Sequence, residues 1–358
     1  MVDNRIKKVA DILVNYSIKV KKGSNILVSF QSEANPLALE VYKKILKKGA
    51  YPIMDPSLPG YAYNYYKLAN KTQLNHYPKI KDFIYKNTDG HMYLGGDWNT
   101  RELTSIDPNK LSIRSKISKP ILDERNKKDN WVIFEYPTNA LAQDAEMSLE
   151  EFEDFVYSAC IQDWKAESKK QEKVKRIVDK GERVRIIGED TDLTFSIKGR
   201  IGKKCDGHFN LPDGEVYTSP VETKTNGKVA FSFPAIRGGR EVDGIKLEFK
   251  DGKVVKAKAE KNEEYLKKML NTDPGAKRLG EWGIGMNFGI KKFVKQILFD
   301  EKIGGTIHLA LGQSFKKAGG KNDSAIHWDM IKDLRKTGEV LVDDKLFIKK
   351  GKIHVKNF

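Results

Sequence analysis

Apolar residues at Ile6, Val9, Ile12, Leu13 and Tyr16 recur at the spacing of one helical face and predict an amphipathic helix over 6–18. Gly23-Ser24-Asn25 ends it, and the apolar run Ile26 to Phe30 reads as a buried strand. The helical period returns from Pro36 to Lys48 and stops at Gly49; Tyr51-Pro52-Ile53-Met54 then begins a second strand. Helix and strand in alternation predict an α/β domain with a parallel sheet. Residues 60–130 give no clean period, apart from a strand candidate around His91 to Leu94. Trp131 to Pro137 is a further strand, and Ser148-Leu149-Glu150-Glu151 is a capping box that opens a helix. Helical character continues, with interruptions, to about Lys180. It is expected to be a connector that closes a first domain, 1–180.

From Gly181 the pattern changes to alternation at every second residue. Strands are expected at 184–187, 193–197, 228–233 and 245–249, with Asp251-Gly252 turning the last into 253–257. A helix over 263–270, an apolar strand from Thr306 to Leu311 and a terminal hairpin over 345–355 follow. The second domain, 181–358, is therefore expected to be a β-rich α+β domain.

The turn Gln31 to Asn35 holds no glycine, so the first domain carries neither a dinucleotide fingerprint nor a phosphate-binding loop. No apolar run is long enough to span a bilayer. Met1 to Lys22 has no uninterrupted apolar core and reads as a helix, not a signal peptide. The two cysteines, Cys160 and Cys205, make no CxxC pattern and suit a reducing cytoplasm. The net charge of +16 comes mostly from lysines interleaved with acidic residues, without an arginine-rich tract. No specific nucleic-acid partner and no membrane partner are expected.

Chemistry concentrates late in the chain. His308 sits in the apolar strand 306–311; beyond the turn Gly319-Gly320-Lys321-Asn322, His327 and Asp329 share one face of an extended segment. Imidazole and carboxylate together suit a borderline divalent cation. Glu215 and Glu281 stand apart from the other glutamates because each follows a glycine and lies beside apolar or aromatic residues. Either step, taken singly, also reads as an ordinary turn.

Five segments in order carry more weight. They are Gly214-Glu215-Val216-Tyr217-Thr218-Ser219-Pro220, Leu279-Gly280-Glu281 with Gly283, Gly285 and Asn287, Leu298-Phe299-Asp300-Glu301, His308-Leu309-Ala310-Leu311-Gly312, and Asn322 to Asp329. Together they resemble the M29 family of metallo-aminopeptidases. The resemblance implies a cytoplasmic homodimer that releases N-terminal residues from peptide substrates using two divalent cations (zinc, cobalt, manganese or magnesium). It implies Glu215, Glu281, His308, His327 and Asp329 as the metal ligands, with Glu281 also the catalytic residue. One position departs from the family pattern. A tyrosine thought to stabilise the tetrahedral intermediate is Phe315 here, and Ser314 or a tyrosine from another segment would have to take its place. Phe315 also leaves open a metal-binding relative that serves as a binding or scaffold protein. The basic charge leaves open a nucleic-acid-associated protein with an incidental metal site.

Overall fold

A computed structural model describes residues 3–237 and 239–358. The chain forms two compact units, Met1–Gln162 with Gly207–Pro212, and Asp163–Asp206 with Asp213–Phe358.

The first unit is built on a parallel sheet. Strand Asn25–Gln31 lies between Tyr51–Ser57 and Gly90–Gly95, and Trp131–Glu135 and the short strand Asn210–Leu211 extend the second side. Parallel neighbours need long crossovers, and helices such as Asn35–Lys47 and Pro108–Lys127 supply them. The amphipathic segment near the start is an α-helix, Asn4–Asp11, that loosens into a π-helical turn, Ile12–Ser17. The stretch without a legible period holds helices Tyr61–Leu68, Lys71–Asn75, Lys79–Asn87 and Pro108–Lys127. The last of these buries only Ile121, so it carries no apolar stripe for a sequence to display.

The second unit begins earlier than the pattern at 181 suggests. Helix Trp164–Lys180 sends Val174, Ile177 and Val178 into one core with Val184, Ile186 and Leu193 of the following strands. Its apolar positions recur at helical spacing, so it is part of the second unit's packing and not a connector. Two antiparallel sheets share this core. The larger has eight strands, ordered 253–258, 246–250, 225–230, 191–196, 183–188, 339–342, 345–349 and 352–353. The smaller has five, ordered His327–Asp333, Thr306–Gly312, Leu279–Gly285, Glu215–Thr218 and Lys203–Cys205. Trp282 of the smaller sheet meets Phe195 and Phe347 of the larger, with ring centroids 5.5 and 6.4 Å apart. Among the described residues, no helix is long and apolar enough to cross a membrane.

Side chains on a strand alternate between its faces. Val216, Trp282, Ile284, Ile307, Leu309, Leu311, Trp328 and Met330 all enter the shared core. Their neighbours Glu215, Tyr217, Glu281, Gly283, His308, His327 and Asp329 are thereby turned to the opposite face of the small sheet.

Candidate metal centre

That opposite face gathers all five predicted ligands, drawn from four strands. The pairing places Glu215 beside Gly285, His308 beside Gly283, Asp329 beside Ala310 and His327 beside Gly312. Strand Leu279–Gly285 carries a bulge between Leu279 and Glu281. Leu279, Trp282 and Ile284 all face the core, an odd position followed by even ones, so an extra residue must switch the phase. Gly280 is that residue, and the switch delivers Glu281 to the site instead of the core.

Two sets of donors result. Glu215, Glu281 and His308 hold one ligand atom each within 4.8 Å of one another, and so do Glu281, His327 and Asp329. Glu281 belongs to both sets. Its Oε1 lies 3.6 Å from His308 Nε2 and its Oε2 lies 3.1 Å from His327 Nε2. Glu215 Oε2 is 3.2 Å from His308 Nε2, and Asp329 Oδ1 is 3.4 Å from His327 Nε2.

The hydrogen bonds show that this arrangement fits a cation. His308 Nδ1 lies 3.0 Å from the Glu301 carbonyl and His327 Nδ1 lies 2.8 Å from the Gln313 carbonyl. A carbonyl only accepts, so each Nδ1 carries the hydrogen. In the neutral ring Nε2 then presents a lone pair toward the carboxylates, the usual orientation of a metal-binding histidine. Glu215 Oε2, His308 Nε2 and Asp329 Oδ1 are buried without a hydrogen bond that satisfies them. Polar atoms are rarely left so unless something else completes them. Gly283 makes room for the arrangement, because a Cβ at that position would overlap the His308 ring.

Without a cation, the histidines serve as counter-charges. Burial opposes a charge on His308, but the adjacent carboxylates of Glu281 and Glu215 prevail and raise its pKa to about 10. His327 is raised well above its ordinary value against burial, by Asp329 first and then Glu281. Burial also opposes ionisation of the carboxylates. His308 and His327 nonetheless hold Glu281 below the usual range, and His327 holds Asp329 at about 2. Glu215 behaves oppositely, because burial outweighs the pull of Lys302 and His308 and raises it to about 8.

Several contributors were not singled out as site residues in the sequence. Glu301 forms a third donor set with His308 and Asp329. Lys302 is fully buried, pairs with Glu301 and lies 3.8 Å from Glu215 Oε1. A buried lysine needs such partners, and here it offsets part of the carboxylates' mutual repulsion. The segment Leu298 to Glu301 was legible as a motif, but nothing in it marked Lys302. Cys205 and Asp213 flank Glu215 in a fourth set. Burial, then the charges of Asp213 and Glu215, push the pKa of the Cys205 thiol well above its ordinary value. Tyr217 packs on Phe315 at 4.9 Å, and Phe315 packs on His327 at 5.1 Å.

Comparison with known proteins bears on what this cluster is for. The model of a family described as thermophilic metalloprotease (M29) matches residues 2–351. Aminopeptidase 2 of Geobacillus stearothermophilus is 24% identical, over 92% of this chain and 92% of its own length. Aminopeptidase T of Thermus thermophilus is 36% identical over 36% of this chain and 35% of its own. The structure of wild-type AmpT from Thermus thermophilus superposes with a TM-score of 0.84 at 22% identity, covering 98% of both chains. A 2,5-dihydroxypyridine dioxygenase from Pseudomonas putida superposes with a TM-score of 0.61 at 12% identity. Two proteins of such different names on one fold show that the fold alone does not fix the reaction.

Proposed function

The chain belongs to the thermophilic metalloprotease (M29) family and is a metal-dependent aminopeptidase, a hydrolase; we propose that five residues of its second unit hold two divalent cations for that reaction. Glu215, Glu281 and His308 form one ligand set, and Glu281, His327 and Asp329 form the other. The observation that carries this reading is the pair of Nδ1-to-carbonyl hydrogen bonds, which turn both Nε2 atoms toward the shared Glu281. When bound, such cations polarise a peptide carbonyl and lower the pKa of a bound water.

The remaining steps belong to the protein. Glu281 stays ionised despite its burial, so it can receive the proton of the attacking water and pass it to the departing amine. The Glu301 and Gln313 carbonyls keep both imidazoles in one tautomer and one orientation. Lys302 limits the repulsion among the buried carboxylates. A free α-amino group, unlike a blocked one, offers a nitrogen lone pair to a bound cation, which would select for the ends of peptides. Zinc, cobalt, manganese and magnesium each accept this nitrogen and oxygen donor set.

Two further assignments go with this reading. The cytoplasm is supported by Cys160 and Cys205, both buried and neither in a disulfide. A homodimer follows from the family resemblance, and sedimentation at twice the chain mass of 40.7 kDa is its test.

Hydrolysis of leucyl-anilide, compared with its N-acetylated form, tests the reaction. The free amine compound is expected to be cleaved and the blocked one spared. Glu281→Gln should lose at least about 100-fold in turnover, the low end for a missing general base. Equal cleavage of the two compounds would exclude an aminopeptidase.

A further inference from the structure

When water adds to a peptide carbonyl, a new O–C bond forms and the π electrons of the carbonyl move onto its oxygen. A hydrogen-bond donor aimed at that oxygen is worth about 100–1,000-fold in turnover. Phe315 has no hydrogen to donate. Its neighbour Ser314 has one but uses it, since its Oγ donates to the Asn322 carbonyl at 2.8 Å. Thr218 Oγ1 donates to the Ile201 carbonyl at 3.1 Å, and Ser219 Oγ accepts from the Phe315 amide at 3.1 Å.

Tyr217 differs from Ser314 and Thr218, whose hydroxyl hydrogens are committed, and from Ser219, which is fully buried against the Phe315 amide. Val216 points into the core, so Glu215 and Tyr217 stand together on the site face of their strand. Tyr217 pairs across the sheet with Gly283, and Gly283 pairs with His308 on its other side. Because Gly283 has no side chain, the His308 ring lies across it, in the same cross-strand row as Tyr217. On the other flank the Tyr217 ring rests against Phe315, which rests against His327. The phenol therefore stands on the site face, linked to the two histidines along two separate paths. Its hydroxyl has no hydrogen-bond partner among the described residues. Tyr217 is only partly buried, so this donor is open to a ligand.

Resting on the aminopeptidase reading above, we infer that Tyr217 supplies the hydrogen bond to the substrate oxygen that becomes negative. The water proton goes to Glu281. It then moves to the leaving nitrogen as the C–N bond breaks and the carbonyl re-forms. Tyr217 keeps its own proton throughout and only donates the hydrogen bond. The phenyl ring of Phe315 acts as the wall that positions it.

Tyr217→Phe is the direct test, because it removes one oxygen and leaves the ring packing. Turnover of leucyl-anilide by the metal-loaded enzyme should fall about 100–1,000-fold, with KM and bound metal unchanged. Adding Phe315→Tyr to that variant should recover at least about tenfold, since the two rings are in contact. Tyr217→Phe turnover within about twofold of wild type would overturn the inference and leave the aminopeptidase standing. A loss matched by loss of bound metal would overturn it as well, by making Tyr217 a support of the metal site. Wild-type protein that cleaves no anilide with any metal would sink the aminopeptidase reading, and this inference with it.

Discussion

At the scale of single residues, the site depends as much on atoms left out as on atoms present. Gly283 has its place because the His308 ring occupies the space a Cβ would fill. Gly283→Ala should therefore push the imidazole off its axis. Displacing a ligand's support typically costs about 10–100-fold in metal affinity, and calorimetric zinc titration should show a loss of that size. An unchanged affinity would mean the ring does not bind metal in this pose. The charges make a second claim. Without a cation His308 is protonated up to about pH 10 and Glu215 up to about pH 8. Ligation requires neutral imidazole and ionised carboxylate. His327, raised well above its ordinary value, is protonated too, so three protons must leave as the cations enter at pH 7, and affinity must fall as pH is lowered. Proton release into weakly buffered solution on adding zinc checks this, and binding without release would contradict it.

At the scale of elements, the phase of one strand decides the site. The bulge at Gly280 turns Glu281 outward while Leu279, Trp282 and Ile284 stay in the core. A Cβ on Gly280 would press on the Gln313 carbonyl, the group that accepts from His327 Nδ1. Gly280→Ala should thus disturb both a ligand's aim and its partner's orientation, and lower zinc affinity at least about tenfold. Full affinity in that variant would show that the bulge does not set the site. Much of the rest was legible beforehand. The shared face of His327 and Asp329 follows from alternation, and the strand around His308 follows from its apolar run. The strand Leu279–Gly285 was not legible. It is buried along its whole length, three of its seven residues are glycine and only Ile284 is β-branched, so it shows no alternation, and Glu281 looked like a turn residue. Lys302 escaped for a related reason, since a lysine in a charged sequence looks exposed until tertiary structure buries it.

At the scale of the whole molecule, the chain is two folding units of different class, an α/β sheet and an antiparallel pair of sheets. The class of each was readable from its period. The division was not, because helix Trp164–Lys180 is so highly charged that its apolar stripe of Val174, Ile177 and Val178 is thin. The six residues 207–212 that belong to the first unit could not be anticipated, since a two-residue strand leaves no pattern. All five proposed ligands lie in the second unit, on one face of one sheet.

The most direct measurement is turnover of leucyl-anilide by chelator-stripped protein as zinc, cobalt or manganese is added back in counted equivalents. Activity should be absent in the stripped protein and rise with added metal. It should level off at two equivalents per chain and stay at the floor in Glu281→Gln. Turnover that persists without metal, or that survives the loss of Glu281, would contradict a metal centre built on these five residues.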